Sequence, residues 1–564
     1  MDFNHYFSND EIEQLITDWL LAYPNLLTRR SLGESYEKRP IWLLTLTNQA
    51  TGPDADKPAV WIDANIHATE ITGTTAALRL AYALLSGYSN DPQATRLLDS
   101  SVYYIVPRIN PDGAALAMAP NPKYLRSGVR LYPYPDVDEG LHEVDIDGDG
   151  RLLEMRIPDP NGDWKVSSLD PRLMEKRRPA EHGGSYYRLM PEGRIHDYDG
   201  YIIRMARSNQ DLDFNRNFPF EWRPENEQSG AGPYPGSEAE IKALLDFIVS
   251  HPNINLAITF HTYSRVILRP YSTKADENFE TADLWVFELI GELGAQTSGY
   301  PCVSTFHDFK YHPKEITTGG FDDWLFDHLG AFSYTIELWD LPNEAGIKDR
   351  KFIEWYRKHP HEHDLQILQW VDANAPPSAY VNWYPFQHPQ LGPVELGGWD
   401  MMYTWRNPPV SLVGAEAERV LPFTLTLGDL LPHLSLHALS AEALDEGRYR
   451  VNLVVENSGF LPSYTSKQGK KRHAARPVWV ELELPEGASL VNGRRKVELG
   501  HLEGRTNRLE VSSLWESGQT DNRARAEWVI QAAPGTTIKF HVLSDRAGVL
   551  HPELTLPGSP GAAS

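Results

Sequence analysis

The sequence predicts an α/β region with a mixed, mostly parallel sheet flanked by helices, followed by an all-β sandwich. Over about the first 370 residues, short apolar runs alternate with helix-like stretches, which is typical of strands buried between helices. After about residue 372 the residue pattern changes, and the proline-containing segments NAPPSAY and then NPPVS interrupt it. The later segments alternate apolar and polar residues between turns that contain Gly, Asn and Pro, as the strands of a sandwich do.

Local signals locate the individual elements. Ser8 precedes an apolar periodicity of the helical type, and Glu11 stands three residues later, which indicates a capping box and a helix start. Further helices are predicted over 72–85 and 238–249. The predicted strands of the α/β region are 41–47, 59–62, 102–106, 256–260 and 333–336. Those of the sandwich include 449–456, 478–484, 526–531 and 537–543.

These patterns divide the chain into an α/β catalytic region at 1–375, a linker at 376–415 and a β-sandwich at 416–558. An insertion at about 127–210, rich in Pro, Gly, Asp and Tyr, interrupts the α/β pattern. A long insertion in a compact domain is usually functional or separately stabilised. We therefore expect the insertion to have a role of its own.

Composition excludes several classes of protein. The 564 residues include 77 acidic and 53 basic side chains, a formal net charge of -24, which disfavours a nucleic-acid or anionic-membrane partner. Cys302 is the single cysteine, so a disulfide framework and a zinc site of several thiolates are excluded. Neither a signal peptide nor an apolar stretch of about 18–20 residues is visible. We expect a cytoplasmic protein, or a secreted one if a leader has been removed.

Two predicted strands end at residues of the types that bind metals. His67 and Glu70 follow the run 59–62, and residues three apart share one face of a helix. By itself this pair is weak evidence, and a capped helix start with a surface histidine explains it better. His261 follows the run 256–260 directly, and in open α/β sheets ligands bind at the carboxyl ends of strands. Two histidines and one carboxylate make a three-ligand zinc set with an open position.

Glu337 lies among apolar neighbours in the segment SYTIELWD. A buried, isolated carboxylate is costly unless it has a function or a partner. It could be the base that takes a proton from an attacking water. Together with the two histidines and Glu70, it favours a metallohydrolase.

Five ordered motifs point to a family. They are HATE at 67–70, INPDG at 109–113, LDFNRN at 212–217, His261 after its strand, and GGFDDW at 319–324, whose Trp324 stands 13 residues before Glu337. Over roughly residues 5–370 the chain resembles the zinc metallocarboxypeptidases of the A and B type. The resemblance implies one zinc per chain on His67, Glu70 and His261, with Glu337 as the catalytic glutamate. It also implies a peptide substrate with a free C-terminus.

The resemblance assigns further substrate contacts. Asn215 and Arg216 would hold the terminal carboxylate of the substrate, which a planar guanidinium can grip with two hydrogen bonds. Arg126 or Arg130 would stabilise the oxyanion, and Arg126 fits the family spacing better. For either arginine the alternative is a solvated ion pair. Tyr263, two residues after His261, would also contact substrate.

The chain departs from the family at one position. Glu315 stands where the family usually has a substrate-capping tyrosine, and Tyr311 is the nearest tyrosine to it. Whether Tyr311 replaces the family tyrosine is open at the level of sequence.

Asp322 stands where family members that prefer C-terminal Lys or Arg carry an aspartate, and Ser272 matches their small polar residue. A buried unpaired carboxylate is costly, and a cationic substrate side chain would relieve that cost. The resemblance therefore favours a basic C-terminal residue. The alternative is that Asp322 or Asp323 caps a helix beginning near Trp324.

The insertion contains DIDGDGRLLEMR, which resembles the start of an EF-hand calcium loop. Asp145, Asp147 and Asp149 occupy the first, third and fifth positions, but Arg156 replaces the glutamate of the twelfth. Calcium is therefore a possible second cofactor, and a plain acidic turn is the alternative. Elsewhere, the basic run KQGKKRHAAR at 467–476 is expected to be a solvated loop of the sandwich.

The leading hypothesis is a zinc exopeptidase that hydrolyses the C-terminal bond of peptides. One alternative is a zinc amidohydrolase that acts on acylated amino acids or γ-glutamyl cell-wall peptides. Another is an inactive binding or adhesion module, although a complete zinc set together with Glu337 argues against it.

Overall fold

The structure is a computed structural model, and it describes residues 1–134, 136–310, 312, 314–445, 447–506 and 519–558. The chain begins with α1 (Asn9–Ala22), β1 (Leu27–Glu34), β2 (Pro40–Leu46), β3 (Ala59–Ala64), α2 (Thr72–Gly87), α3 (Pro92–Ser100), β4 (Val102–Val106) and α4 (Pro111–Ala117). The capping box expected at the start of α1 is present, with Ser8 and Glu11 each bonded to the backbone of the other.

The remaining elements follow in chain order. The insertion holds β5 (Gly140–Glu143), β6 (Glu154–Pro158), β7 (Trp164–Val166), β8 (Met174–Lys176), β9 (Tyr187–Pro191) and β10 (Gly193–His196). The α/β region resumes with α5 (Ala239–Ser250), β11 (Ile254–Thr262), β12 (Val266–Arg269), α6 (Thr281–Ser298), β13 (Cys302–Ser304), α7 (Thr305–Asp308), α8 (Phe321–Leu329), β14 (Phe332–Leu338), α9 (Leu341–Glu344), α10 (Phe352–Arg357) and α11 (His361–Asn374). Next come β15 (Tyr380–His388), β16 (Gly392–Trp399) and α12 (Val413–Asp429).

One eight-stranded mixed sheet forms the centre of the α/β region, as the sequence predicted. Its strand order is β1-β2-β4-β3-β11-β14-β12-β13. The central strands β4, β3, β11 and β14 run parallel to one another, while both sides of the sheet include antiparallel pairs. Every residue of these four strands is buried, because helices cover both faces. This explains why their sequences are continuous apolar runs.

The segment 376–415, expected to be a linker, is instead structured. Strands β15 and β16 complete a six-stranded sheet with four strands of the insertion, in the order β15-β16-β6-β9-β7-β8. Helix α12 begins at Val413, so the expected sandwich boundary at residue 416 falls inside a helix. Buried α12 residues such as Val420 and Phe423 belong to the core of the α/β region. The insertion and the expected linker therefore stabilise each other by strand pairing.

The C-terminal region consists of antiparallel sheets, as expected. Its elements are β17 (Leu434–Ala443), β18 (Arg448–Asn457), α13 (Lys467–Lys471), β19 (Val478–Glu483), β20 (Ser489–Asn492), β21 (Lys496–Gly500), β22 (Arg523–Gln531), β23 (Thr537–Ser544), β24 (Gly548–Leu550) and β25 (Glu553–Thr555). One sheet has the order β17-β18-β22-β20 and the other β21-β19-β23-β24, with β25 paired to β23. Their inward-facing side chains form one shared hydrophobic cluster.

The basic run at 467–476 is not a solvated loop, contrary to expectation. Its first residues form α13, whose N-terminal amides at Lys467 and Gln468 donate to the buried carboxylate of Asp283 at 2.7 and 2.8 Å. Arg472 pairs with the buried Asp327 of α8. The run therefore docks the C-terminal region onto the α/β region, because carboxylates buried there need donors.

A fully buried arginine also joins the two regions. The Arg546 guanidinium donates to the carbonyl oxygens of Ile254 and Leu329, the latter at 2.6 Å.

Among the described residues, no helix combines the length and apolar character needed to cross a membrane.

Candidate active site

The residues expected to form the site meet at the carboxyl ends of three neighbouring parallel strands. His67 follows β3, His261 lies near the end of β11, and Glu337 lies near the end of β14. The register places His261 directly opposite Glu337 and Phe260 opposite Ala64. Strands β3, β11 and β14 are adjacent, so their ends converge at one edge of the sheet. The strand pairing itself thus positions the site.

Three side chains converge with the geometry of a metal-ligand set. The His67 Nδ1 atom lies 2.9 Å from Glu70 Oε1 and 3.0 Å from His261 Nδ1, which in turn lies 2.9 Å from Glu70 Oε2. Tetrahedral ligands at about 2.0–2.1 Å from a zinc ion would be roughly 3.3 Å apart. The three residues are 2 to 6% exposed. This donor set therefore fits zinc.

Asp213 orients one of these histidines. Its Oδ1 atom lies 3.1 Å from His67 Nε2. A proton held at Nε2 leaves Nδ1 as the lone-pair donor towards the metal position, a common arrangement around ligand histidines. Asp213 was not among the predicted site residues, although it is the second residue of the motif LDFNRN.

Arg126, and not Arg130, lines the site. The Arg126 guanidinium donates to Glu70 Oε1 and to Asp213 Oδ2, both at 2.9 Å. Arg130 instead pairs with Glu238 at 2.7 Å, outside the cavity that the site residues line. The structure thus places a cationic group beside the metal-ligand set at the residue that the spacing favours.

Glu337 faces the cavity with one carboxylate oxygen free. Its Oε2 atom is buried and has no hydrogen-bond partner among the residues that the structure describes. Burial, together with the negative charge of Glu70, raises the pKa of Glu337 well above its usual range. A carboxyl group of raised proton affinity is suited to accept a proton from a water in the cavity.

The cavity also holds the residues expected to bind the substrate carboxylate. Asn215 and Arg216 lie on the helical turn Phe214–Arg216, and both line the cavity. Asn215 Oδ1 accepts a hydrogen bond from the Phe321 amide at 2.9 Å, which joins this turn to the start of α8. Arg216 Nη1 donates to the Asn215 carbonyl at 2.8 Å, while Nη2 lies 3.8 Å from Asp213 Oδ2, beyond hydrogen-bond distance. A carboxylate entering the cavity would therefore meet a guanidinium whose charge is only loosely paired.

Two aspartates at the start of α8 form another wall. Asp322 Oδ2 accepts from Thr335 Oγ1 at 2.6 Å, whereas its buried Oδ1 has no partner within the described part of the chain. Asp323 accepts from the Ser272 amide at 2.9 and 3.0 Å. Helix α8 begins at Phe321 with Gly320 as its N-cap, so neither aspartate is the cap residue. The helix-cap alternative is therefore wrong.

Two other positions considered in the sequence lie away from this cavity, and a third lies outside the described residues. Tyr263 is not part of the lining, and its ring packs edge-on against Tyr356 with centroids 5.5 Å apart. Burial, the largest cause, raises the Tyr263 pKa, and the nearby Glu337 charge adds to this effect. Glu315 is exposed, and its amide bonds to the His312 carbonyl. Tyr311 lies outside the described residues.

The acidic loop of the insertion brings its three aspartates together. Oxygen atoms of Asp145, Asp147 and Asp149 lie within 4.8 Å of one another. Asp149 is already paired with Arg151 at 2.9 Å, and Arg156 of β6 pairs with Glu395 at 2.7 Å instead of contributing to the loop. These contacts are the ones expected of a plain acidic turn. Calcium binding stays a prediction.

Taken together, the fold and the site define a metallohydrolase. They combine a three-residue set that fits zinc, a carboxylate opposite it with one oxygen that has no partner among the described residues, and a pocket with carboxylate-binding and acidic walls. The comparisons with known proteins narrow this class. A family model described as zinc carboxypeptidase matches residues 12–131 and 191–357. A second model, described as a domain of unknown function (DUF8731), matches residues 433–555.

Relatives of this chain include carboxypeptidase A2 of Rattus norvegicus, 26% identical over 381 residues that cover 64% of this chain and 72% of the relative. Carboxypeptidase B of Astacus astacus is 25% identical over 351 residues, which cover 61% of this chain and 89% of the relative. The solved structure of thrombin activatable fibrinolysis inhibitor matches with a TM-score of 0.43 and 19% identity, over 76% of this chain and 74% of that one.

The chain belongs to the zinc carboxypeptidase family. It is a hydrolase, a metallo-exopeptidase that acts on the C-terminal residues of peptides, and zinc is the cofactor that family membership implies. This confirms the enzyme class predicted from the sequence and disfavours the adhesion module.

Proposed function

We propose that the chain removes C-terminal Lys or Arg residues from peptides with a free C-terminus, with zinc on His67, Glu70 and His261. Bound zinc would supply a Lewis acid at the scissile carbonyl. Glu337 accepts a proton from the attacking water and returns it to the leaving amine. Arg126, beside the metal-ligand set, stabilises the negative charge that develops on the carbonyl oxygen.

Recognition of the chain terminus is assigned to Arg216 and Asn215. The side chain of Arg216 is 12% exposed, so a carboxylate paired with it is largely removed from water. Charge-assisted hydrogen bonds from a guanidinium are strong in such surroundings. A peptide with an amidated C-terminus, or an internal peptide segment, lacks the negative charge that Arg216 would bind.

The observation that carries the proposed specificity is that Asp322 Oδ1 has no hydrogen-bond partner among the residues that the structure describes. Asp322 Oδ1 is buried in the wall of the same cavity that Arg216 lines. Asp323 stands beside it, and Asp63 adds a third carboxyl group close enough to affect its ionisation. Because a buried carboxylate without a partner is costly, a cationic side chain of the substrate would be stabilised here.

We predict that Asp322→Asn lowers kcat/KM for substrates that end in Arg or Lys while leaving substrates that end in Phe or Leu nearly unchanged. The loss is expected to be on the order of 30-fold or more, because truncating one partner of a buried charge pair costs about 2–5 kcal/mol. The amide retains the acceptor for Thr335 and removes only the charge. Hydrolysis of four peptides that differ only in their last residue measures the effect.

The matched control is Asp323→Asn, since the Asp323 carboxylate is already bonded to the Ser272 amide. This variant should change selectivity far less. A parent enzyme that prefers Phe, or an Asp322→Asn enzyme that keeps its Arg preference, would rule Asp322 out as the selector.

The same substrates provide a pH signature. Burial raises the pKa of Asp322 to about 8, so in the empty pocket this group is mostly protonated at pH 6. Since a guanidinium binds the ionised form, the ratio of kcat/KM for Arg over Phe substrates should rise up to about pH 8 and then level off. The ratio cancels pH effects common to both substrates, and Asp322→Asn should remove most of this rise. A smaller dependence can remain, because burial also raises the pKa of the neighbouring Asp323, to about 7.

A further inference from the structure

The loop that carries Glu70 is held by a segment outside the matched family region. Residues 400–407 lie beyond the end of the family match at residue 357. They form the helical turn Met401–Arg406 and end at Asn407, which is 0% exposed. The Asn407 side chain donates to the carbonyl of Thr69 at 2.7 Å, and its Oδ1 atom accepts from the Thr72 amide at 3.1 Å. Thr69 and Thr72 flank the expected zinc ligand Glu70.

These bonds replace a missing helix cap. Helix α2 begins at Thr72, and its N-cap residue Ile71 provides no side-chain cap. The first amides of a helix have no partner within the helix and must find one elsewhere. Asn407 supplies that acceptor from a distant part of the sequence, and it also accepts from Thr72 Oγ1 at 2.8 Å. The start of α2 is thereby fixed.

The two sides of the loop from His67 to Glu70 are held by different parts of the chain. The carbonyl of His67 accepts from the Asn65 side chain at 2.7 Å, a contact within the family region. The Thr69 carbonyl, next to Glu70, depends on Asn407. A second bond from this turn reaches the strand of Glu337, because Trp339 Nε1 donates to the Thr404 carbonyl at 2.8 Å. The turn therefore contacts both the ligand loop and the end of β14.

Asn407 is itself held in place. Its backbone amide and its side-chain amide both donate to the Met402 carbonyl, at 3.1 and 3.0 Å. Met402 is fully buried and packs in a cluster with Ile71, the residue between Glu70 and the start of α2. The side chain of Asn407 thus has one orientation in which its donor and acceptor are both used.

We propose that Asn407 is a positioning residue for the zinc ligand Glu70, because it holds the chain on both sides of that ligand from outside the matched family region. The proposal rests on the assignment of zinc to His67, Glu70 and His261, and not on the preference for basic residues. Residues that hydrogen-bond directly to a metal-ligand side chain typically change metal affinity by about 10- to 100-fold when they are replaced. Asn407 acts one step further away, through the chain on either side of Glu70, so its effect should fall at the lower end of that range.

The test measures the zinc dissociation constant of the full chain by competition with a chelator, together with the melting temperature. Asn407→Ala is expected to raise the zinc dissociation constant by about 10-fold. Asn457→Ala is the matched control, because Asn457 is 2% exposed in the C-terminal region and its side chain makes four bonds to backbone groups. Both variants should melt at lower temperature, but only Asn407→Ala should weaken zinc binding.

A second variant covers the case in which Asn407→Ala does not fold. Thr72→Val removes only the hydroxyl bond to Asn407 Oδ1 and should give a smaller rise in the zinc dissociation constant. An unchanged zinc affinity in the folded variants, or an equal loss in Asn457→Ala, would overturn the positioning role. A parent chain that binds no zinc would overturn the ligand assignment and this role with it, whereas loss of the Arg preference alone would affect neither.

Discussion

Replacing Glu337 by Gln is expected to reduce kcat by on the order of 10³- to 10⁴-fold while one zinc per chain is retained. General-base catalysis is typically worth about 10²- to 10⁴-fold. Glu337 acts twice, first accepting and then returning a proton, which places the loss at the upper end. The amide has nearly the same shape, so the buried environment of Oε2 is preserved. Steady-state hydrolysis and the zinc content of the same preparation measure the two quantities.

The control for this prediction is Glu315→Gln. Glu315 is exposed and does not line the cavity, so its neutralisation should leave turnover unchanged. If Glu337→Gln retained full activity, Glu337 would not be the base. If the variant lost its zinc, Glu337 would belong to the ligand set instead.

Replacing Arg216 by Ala is expected to weaken transition-state binding of substrates with a free C-terminus by about 2–5 kcal/mol, because a buried carboxylate loses its partner. This corresponds to roughly 30- to 5,000-fold in kcat/KM. The guanidinium contacts the chain terminus and not the scissile bond, so most of the change should appear in KM. Kinetics with one peptide over a range of concentrations separate KM from kcat.

Arg130→Ala is the matched control for Arg216. Arg130 also pairs with a buried carboxylate, Glu238, but lies outside the cavity. Its removal should lower stability without changing KM. An equal increase of KM in both variants would show that Arg216 acts through the fold and not through the substrate.

Much of the central sheet could be predicted because its strands are short and continuous in apolar character. The run 102–106 corresponds to β4 without change, and the run 256–260 is the middle of β11. The convergence of His67, His261 and Glu337 followed from the rule that ligands bind at strand ends, together with the family motifs. Local patterns were sufficient to predict these strands, because the strands are buried along their whole length and end at the functional residues.

The sequence could not reveal contacts between distant segments. Strand β6 pairs with β16, although the insertion and the segment 376–415 lie far apart in the chain. The strands of the insertion are three to five residues long, too short for a clear alternation. Asn407 carries no local signal either, since its role depends on the uncapped start of α2.

The basic run at 467–476 shows the same limit. Its charges indicate a solvated loop when they are considered alone, but buried Asp283 and Asp327 of the α/β region are the partners that determine its position. Only a tertiary contact distinguishes the two outcomes.

The most direct measurement is mass spectrometry of the products from two peptides that end in Arg, identical except that one has a free and the other an amidated C-terminus. Each is incubated with the parent enzyme, with a zinc chelator, and with the chelator followed by added zinc. Only the free peptide is expected to lose its single C-terminal residue; the chelator should stop this loss, and zinc should restore it. Equal cleavage of the amidated peptide, internal cleavage, or activity unaffected by the chelator would contradict the proposed function.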